Sequence, residues 1–258
     1  MFCFDLFAWF APRVLLPQDT NTNMLMLLRW IHFLAGITWV GLLYFFNLVN
    51  VPFLKQLDTP TRTKVVPTLM PRALWWFRWG SVVTVLAGIA YWMVIVASDR
   101  RSGQAGDFPN ADSGPVISSF FAIWTIAFVI EMGILMSPAR PLHKGPVLAV
   151  IITVIVVAAS WIFLSINSHG WESNRLLSIG IGGGLGWFMM LNVWGIIWRM
   201  QKKIIRWTAE LGPGEVMPEA ATRLARLAFL ASRANFFLSF PMLFFMAAAS
   251  HYPMFGSL

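Results

Sequence analysis

Histidine is the residue type in this 258-residue sequence best suited to ligate a metal, and three of the four histidines are expected on the same side of the membrane. His32 lies inside the first long apolar stretch, His169 follows the fourth, and His251 follows the sixth. Neutral imidazole ligates iron, and a haem held between helices in this way needs no cysteine. The single cysteine, Cys3, excludes a Cys-x-x-Cys-His haem attachment and a cysteine-built zinc or iron–sulfur site. We therefore expect any macrocycle to be a non-covalent haem b.

The fifth apolar stretch carries five glycines within seven residues, at the predicted depth of His32. Glycines let a flat ligand or another helix backbone approach closely. Trp39 shares a helical stripe with His32, because the two residues are seven positions apart. We predict one cofactor site with His32 and His251 as the iron ligands. Its other predicted residues are His169, Gly182, Gly186 and Trp39.

These residues also have an interpretation that needs no cofactor. A histidine inside a membrane helix is often a satisfied hydrogen-bonding residue, and a histidine at a helix end often meets lipid head groups. Glycine-rich helices commonly serve packing alone. A site for a bare metal ion is less favoured, because no His-x-x-His, Asp or Glu lies at a matching depth. No residue is identified as catalytic.

A second group of polar residues lies toward the opposite ends of the apolar stretches. Glu131 falls in the inner half of the third stretch, whereas Arg78 and Arg233 fall at the inner ends of the second and sixth. An ionisable residue in a membrane span costs about 3 kcal/mol on insertion scales and normally finds a partner. We predict a structural ion pair of Glu131 with Arg78 or Arg233. Proton transfer or substrate binding by these residues is the alternative.

Six apolar stretches position these residues, and each is long enough to cross a membrane as a helix. Hydrophobic residues make up 58% of the sequence and charged residues only 12%, with a mean hydropathy of +0.68. We predict an all-α integral membrane protein with one helical domain over residues 24–258. Residues 1–23 are predicted to hold a short interfacial helix, since their apolar run is too short to span a bilayer. The six helices are expected at about 25–50, 74–97, 116–136, 146–166, 176–199 and 227–250, separated by proline- and glycine-containing connections.

The distribution of Lys and Arg predicts the orientation of the bundle. Fourteen of the 19 basic residues fall in or beside the first, third and fifth connections, which the positive-inside rule assigns to the cytoplasm. Both termini are then periplasmic, in a multi-pass protein of a bacterial inner membrane. The net charge of +8 is explained by the same rule, so we expect a lipid bilayer and no nucleic acid as its surroundings. The five basic residues on the outer side are Arg13, Arg29, Arg100, Arg101 and Arg175.

Three segments of the sequence resemble the membrane domain of the bacterial membrane-bound urate oxidase (urate hydroxylase) family. They are residues 30–47, residues 71–79 and residues 250–253, and the resemblance extends over about residues 24–255. It implies a membrane-embedded redox role in which electrons leave through a cytochrome c domain fused at the C-terminus. No Cys-x-x-Cys-His occurs in this sequence, so we expect electrons to pass to a separate periplasmic cytochrome or into a larger membrane complex.

Two hypotheses follow for the function. The first is a haem b-binding redox protein that forms the membrane part of a urate oxidase-like oxidoreductase. The second is a non-catalytic accessory or structural subunit of a respiratory or photosynthetic membrane complex. Transport has weaker support, because broken helices at corresponding places in two halves are not seen.

Overall fold

The described part of the chain forms six long helices, as the sequence predicts. The computed structural model describes residues 17–211 and 215–255, and no strand occurs within these ranges. Each of the six helices is long and apolar enough to cross a membrane, so the protein is a multi-pass membrane protein. The predicted interfacial helix near the N-terminus lies outside the described residues. The helices are α1 (Thr20–Gln56), α2 (Thr59–Ala105), α3 (Gly114–Met136), α4 (Gly145–Ile166), α5 (Asn174–Glu210) and α6 (Glu219–His251).

The second and fifth helices are longer than their apolar stretches. The predicted connection over residues 51–73 is mostly helical, because α2 begins at Thr59 and continues through Pro67 and Pro71. Each of these prolines removes one backbone hydrogen-bond donor. Both lie before the apolar stretch, so water can hydrogen-bond the carbonyl groups that lose their donor. Similarly, α5 continues beyond its apolar part as an amphipathic helix that ends at Glu210.

Two helices, α1 and α5, each contain a short π-helical segment in the second half of their length. In α1 this segment is Phe45–Asn50, and in α5 it is Val193–Ile197. A π-helical turn carries an extra residue, which changes the face that the following residues present. Asn47 and Asn50 are buried in the first segment, and Asn192 is buried directly before the second.

Helix α5 lies at the centre of the bundle. Of its most apolar window 72% is buried, compared with 28% for α1 and for α4. The half of the bundle in which α1 begins and α6 ends is called the outer half. Near mid-depth, α1 and α6 are joined by a hydrogen bond between the hydroxyls of Tyr44 and Ser239, which lie 3.0 Å apart. Separate cavities lie on the outer and inner sides of this contact.

Candidate functional site

A cavity of about 430 Å³ lies in the outer half of the bundle, between α1, α2, α5 and α6. Its wall is largely apolar and includes Phe33 and Ile37 of α1, whose side chains are exposed at the lateral surface of the bundle. The cavity therefore opens sideways toward the bilayer. Sites for small molecules commonly have volumes of about 300–1,000 Å³. Four of the residues predicted from the sequence line this cavity: His32, Trp39, Gly182 and Gly186.

The His32 side chain is held by the neighbouring helix. Its Nδ1 lies 2.8 Å from the main-chain carbonyl oxygen of Thr84 in α2. A carbonyl can only accept a hydrogen bond, so Nδ1 must carry the proton. In the neutral imidazole, the lone pair then resides on Nε2, which makes no hydrogen bond to the described residues. The packing of α2 restricts the ring further, because a Cβ added at Gly88 would lie 2.9 Å from it.

Two arginines lie at the outer end of the cavity around one tyrosine. Arg29 donates a hydrogen bond to the Tyr91 hydroxyl over 2.6 Å, and its guanidinium lies 5.3 Å from the centre of the Tyr91 ring. The Arg175 guanidinium lies 5.0 Å from the same ring. Neither arginine forms an ion pair with a described carboxylate. Two cations at the end of an apolar cavity create a place for two negative charges.

The glycines of α5 serve two different neighbours. Gly180 and Gly184 face away from the cavity, where the Phe163 ring and the Trp124 indole occupy the space of a side chain. Gly182 lies against α6, with the Met242 carbonyl oxygen 3.2 Å from an added Cβ. At Gly186, by contrast, the nearest atom would be 3.8 Å away, which leaves room. Only part of the glycine-rich run therefore borders the cavity.

The other two outer histidines lie outside the cavity lining. His251 is exposed at the end of α6, directly after Ser250, which does line the cavity. His169 is exposed in the loop after α4, and its Nδ1 lies 2.8 Å from Oε1 of Glu172. The other oxygen of Glu172 accepts hydrogen bonds from the main-chain N–H groups of His169 and Gly170. The structure thus brings only His32 of the predicted trio into the cavity.

The cavity contains functional groups that sequence reasoning missed. Met242 and Met246 of α6 line it, and their spacing of four residues places them on one helix face. From the sequence, Arg29 serves only as evidence for the orientation of the bundle. It lies three residues before His32 and therefore on the same face of α1. The Trp39 indole N–H is buried and has no hydrogen-bond partner among the described residues. A buried indole N–H usually finds a partner, so this donor is available to a ligand.

Glu131 is fully buried and is paired differently from the prediction. Its Oε2 accepts a hydrogen bond from the Asn192 amide over 2.8 Å, and that amide also donates to Oδ1 of Asn235. Within the described residues, no ion pair forms with Arg78 or Arg233. The Arg78 guanidinium instead lies 3.9 Å from the centre of the Trp198 ring. Arg233 likewise lies over a ring of its own helix. Aromatic rings at the inner ends of the helices therefore take the place of the carboxylate as partners of the arginines.

Comparison with known proteins identifies one family. The family model described as urate oxidase N-terminal matches residues 57–257. The matched region contains α2 to α6, including Thr84 and the glycines of α5, and it begins directly after α1, which carries His32. No curated protein and no solved structure matches the chain significantly.

Proposed function

The chain belongs to the urate oxidase N-terminal family, and from this premise we propose that it is a haem b-binding redox protein of a bacterial inner membrane. Family membership supports a membrane-associated domain related to redox chemistry. The proposal adds a non-covalent haem in the outer cavity and transfer of electrons to a separate periplasmic carrier or complex. Since the family takes its name from urate oxidase, urate is the first reductant to test.

The observation that carries this proposal is the hydrogen bond between His32 and the Thr84 carbonyl. Metal-ligating histidines almost always donate their second ring N–H to a carbonyl or carboxylate, which orients the ring and raises the basicity of the ligating nitrogen. His32 has this arrangement, with Nδ1 bound to the carbonyl and Nε2 without a partner in the described chain. The histidine lies on a largely apolar part of the cavity wall, and its Nε2 has no partner among the described residues.

The charges around the cavity also fit the chemistry of haem b. This molecule has a large apolar ring and two propionates, and arginine is the side chain that best pairs with carboxylates. Arg29 and Arg175 at the outer end would hold the propionates, while the apolar wall between α1, α5 and α6 would enclose the ring. Gly186 would leave room for the ring, because it presents no side chain to the cavity. The Trp39 N–H is a further donor within this wall.

Two kinds of residue could supply a second ligand to a haem iron. Met242 and Met246 line the cavity, and either sulfur could be a second ligand, since methionine together with histidine holds haem iron in other proteins and raises its reduction potential. His251, predicted from the sequence, lies one residue beyond the lining. His169 is a weaker candidate, because it is exposed in the loop after α4 and lies outside the cavity lining.

When bound, the haem would supply reversible one-electron transfer. The chain's own residues would hold and orient it. His32 would ligate the iron through Nε2, and the Thr84 carbonyl would keep the proton on Nδ1 and the ring in one orientation. The apolar wall would exclude water from the ring, and the two arginines would bind its carboxylates near the outer surface. That position would suit transfer to a periplasmic partner.

A reduced-minus-oxidised absorption spectrum of the purified chain tests this proposal. We expect a b-type haem α band that is lost in His32→Ala and is retained in His169→Ala, a histidine that lies outside the cavity. Met242→Leu, Met246→Leu and His251→Ala would identify the second ligand by a shifted band. Absence of an α band after expression with adequate haem supply would contradict the proposal.

A non-catalytic subunit of a larger membrane complex is the alternative function. The observation that favours it is an apolar stripe on α4, which has few neighbours in the bundle. Its side chains are at least 60% exposed and recur at helical spacing, at Val150, Val154, Val157 and Trp161. Isolation of a stable, redox-active monomer in a mild detergent would contradict this alternative.

A further inference from the structure

A groove of about 790 Å³ lies at the inner ends of α3 and α5. It shares no lining residue with the two cavities on either side of the Tyr44–Ser239 contact. Phe128 of α3 contributes to its wall, and α5 supplies the rest of the described lining. The lining residues of α5 are Leu191, Trp194, Gly195, Trp198, Arg199, Lys202, Lys203 and Arg206. The groove is therefore largely one face of α5, bordered by its neighbour.

Four cations form a single stripe at the inner end of this groove. Their side chains are exposed and recur at intervals of three and four residues along α5, at Arg199, Lys202, Lys203 and Arg206. No carboxylate occurs in the described lining, and none of the four forms an ion pair with a described carboxylate. The positive-inside rule accounts for basic residues on this side of the membrane, but it does not require them to share one helix face beside a groove. The stripe therefore presents uncompensated positive charge to a single ligand.

The same face of α5 is apolar closer to the middle of the membrane. Leu191, Trp194 and Trp198 precede the cations at intervals of three and four residues, and their side chains are only partly buried. From Leu191 to Arg206 the helix rises by roughly 22 Å. Over this length the face changes from apolar to cationic. A phospholipid has the complementary pattern, because its acyl chains lie in the bilayer and its phosphate lies at the surface.

Neighbouring helices hold the wall of the groove in place. The Arg78 guanidinium of α2 lies 5.0 Å from the centre of the Trp194 ring and 3.9 Å from a ring centre of Trp198. The Trp194 indole N–H also donates to the Arg78 main-chain carbonyl over 3.3 Å. Phe128 occupies the space left by Gly195, where an added Cβ would lie 2.7 Å from its ring. The wall is therefore preformed, so a ligand does not have to order it on binding.

We propose that this groove binds an anionic phospholipid with two phosphates, as in cardiolipin. The cationic stripe contacts the phosphates, and the tryptophan wall contacts an acyl chain. Four cations favour two phosphates over one, because each phosphate supplies a further negative charge for charge-assisted hydrogen bonds. In other membrane proteins, basic pockets between helices on the cytoplasmic side bind such headgroups. The inference goes beyond the proposed function and does not depend on the haem.

Native mass spectrometry of the full chain in a mild detergent, titrated with defined lipids, tests the proposal. We expect one molecule of cardiolipin to bind about tenfold more tightly than phosphatidylglycerol, which carries one phosphate. Phosphatidylcholine, which has no net charge, should bind more weakly still. The double variant Lys202→Gln, Arg206→Gln should weaken cardiolipin binding by about tenfold or more, because each cation near an anionic lipid surface contributes about fivefold.

The matched control removes the same charge from the same side of the membrane, away from the groove. Lys64→Gln, Arg72→Gln alters two exposed residues of α2 that lie outside the groove lining, and it should bind cardiolipin as the parent does. Thermal unfolding provides a second measurement. Added cardiolipin should raise the melting temperature of the parent and of this control, but not that of Lys202→Gln, Arg206→Gln.

Three results would overturn the assignment. The first is equal affinity of the parent for cardiolipin and phosphatidylcholine. The second is an equal loss of cardiolipin binding in the two double variants, which would indicate a general effect of surface charge. The third is displacement of the lipid by a large excess of pyrophosphate, which would assign the groove to a soluble anion. If Lys202→Gln, Arg206→Gln does not fold, Arg199→Gln, Lys203→Gln on the same stripe decides by the same criteria.

Discussion

The imidazole Nδ1 of His32 in α1 and the main-chain oxygen of Thr84 in α2 lie 2.8 Å apart, so one helix sets the tautomer of a histidine in another. The bond leaves Nε2 as the basic nitrogen. It also couples the chemistry of the outer cavity to the packing of α1 against α2, because the ring lies against Gly88, one turn after Thr84.

Gly88→Ala should disturb the His32 imidazole without altering any polar group. The added Cβ would lie 2.9 Å from both Nδ1 and Cε1, so the ring must move away from the Thr84 carbonyl. We expect the haem content of the purified protein, measured by the pyridine haemochrome spectrum, to fall by more than half. Gly133→Ala is the control, because nothing lies within 4 Å of its added Cβ. A normal haem content in Gly88→Ala would argue against His32 as a ligand.

Replacing both cavity arginines should remove the preference for a dicarboxylate cofactor. We expect apoprotein of the parent chain to bind haem more tightly than haem dimethyl ester, which lacks the two carboxylates. The double variant Arg29→Gln, Arg175→Gln should bind the two compounds equally. Arg101→Gln, an exposed arginine at the same end of the bundle, should behave as the parent. An unchanged preference in the double variant, measured by absorbance titration, would assign the propionates elsewhere.

Two glycines of α5 should differ in their tolerance of a methyl group. Gly184→Ala would place the methyl inside the Trp124 indole, and such overpacking costs about 1–3 kcal/mol. Gly186→Ala would meet its nearest neighbour, the Met242 sulfur, at 3.8 Å, so folding stability should be unchanged or rise slightly through helix propensity. Thermal unfolding in detergent measures both. Equal melting temperatures for the two variants would contradict the packing described for α5.

Glu131→Gln should have little effect on stability. The glutamine oxygen can accept the same hydrogen bond from Asn192, and no described arginine loses a partner. We expect a change within about 1 kcal/mol, whereas breaking a buried ion pair costs about 3–5 kcal/mol. Arg78→Gln and Arg233→Gln test the same point from the other side. A loss of several kcal/mol in Glu131→Gln and in one arginine variant, measured by chemical unfolding, would restore the ion pair predicted from the sequence.

Helix ends and buried partners were where sequence reasoning failed. The four prolines between residues 51 and 73 predicted a connection, yet Pro60 lies in the first turn of α2 and Pro67 and Pro71 lie inside it. Proline blocks one hydrogen bond without dictating where a helix begins. Similarly, the depth of Glu131 and Arg78 along their helices suggested an ion pair. Depth does not specify which faces of two helices meet, and the amide of Asn192 fills the position expected for an arginine.

The sequence by itself determined the number of membrane helices, the family, and the outer position of His32 beside a glycine-rich helix. These properties depend on apolar length and residue order, which are local along the chain. Only the tertiary structure decided that Thr84 orients His32 and that Arg29 and Arg175 share Tyr91. It also decided that the side-chain oxygens of Asn47 and Asn50 have no hydrogen-bond partner in the described part of the chain. Each of these facts depends on groups from different helices that lie in contact, or on a polar atom that lacks such a neighbour. Helix rotation and packing set such distances, and residue spacing within a single helix does not.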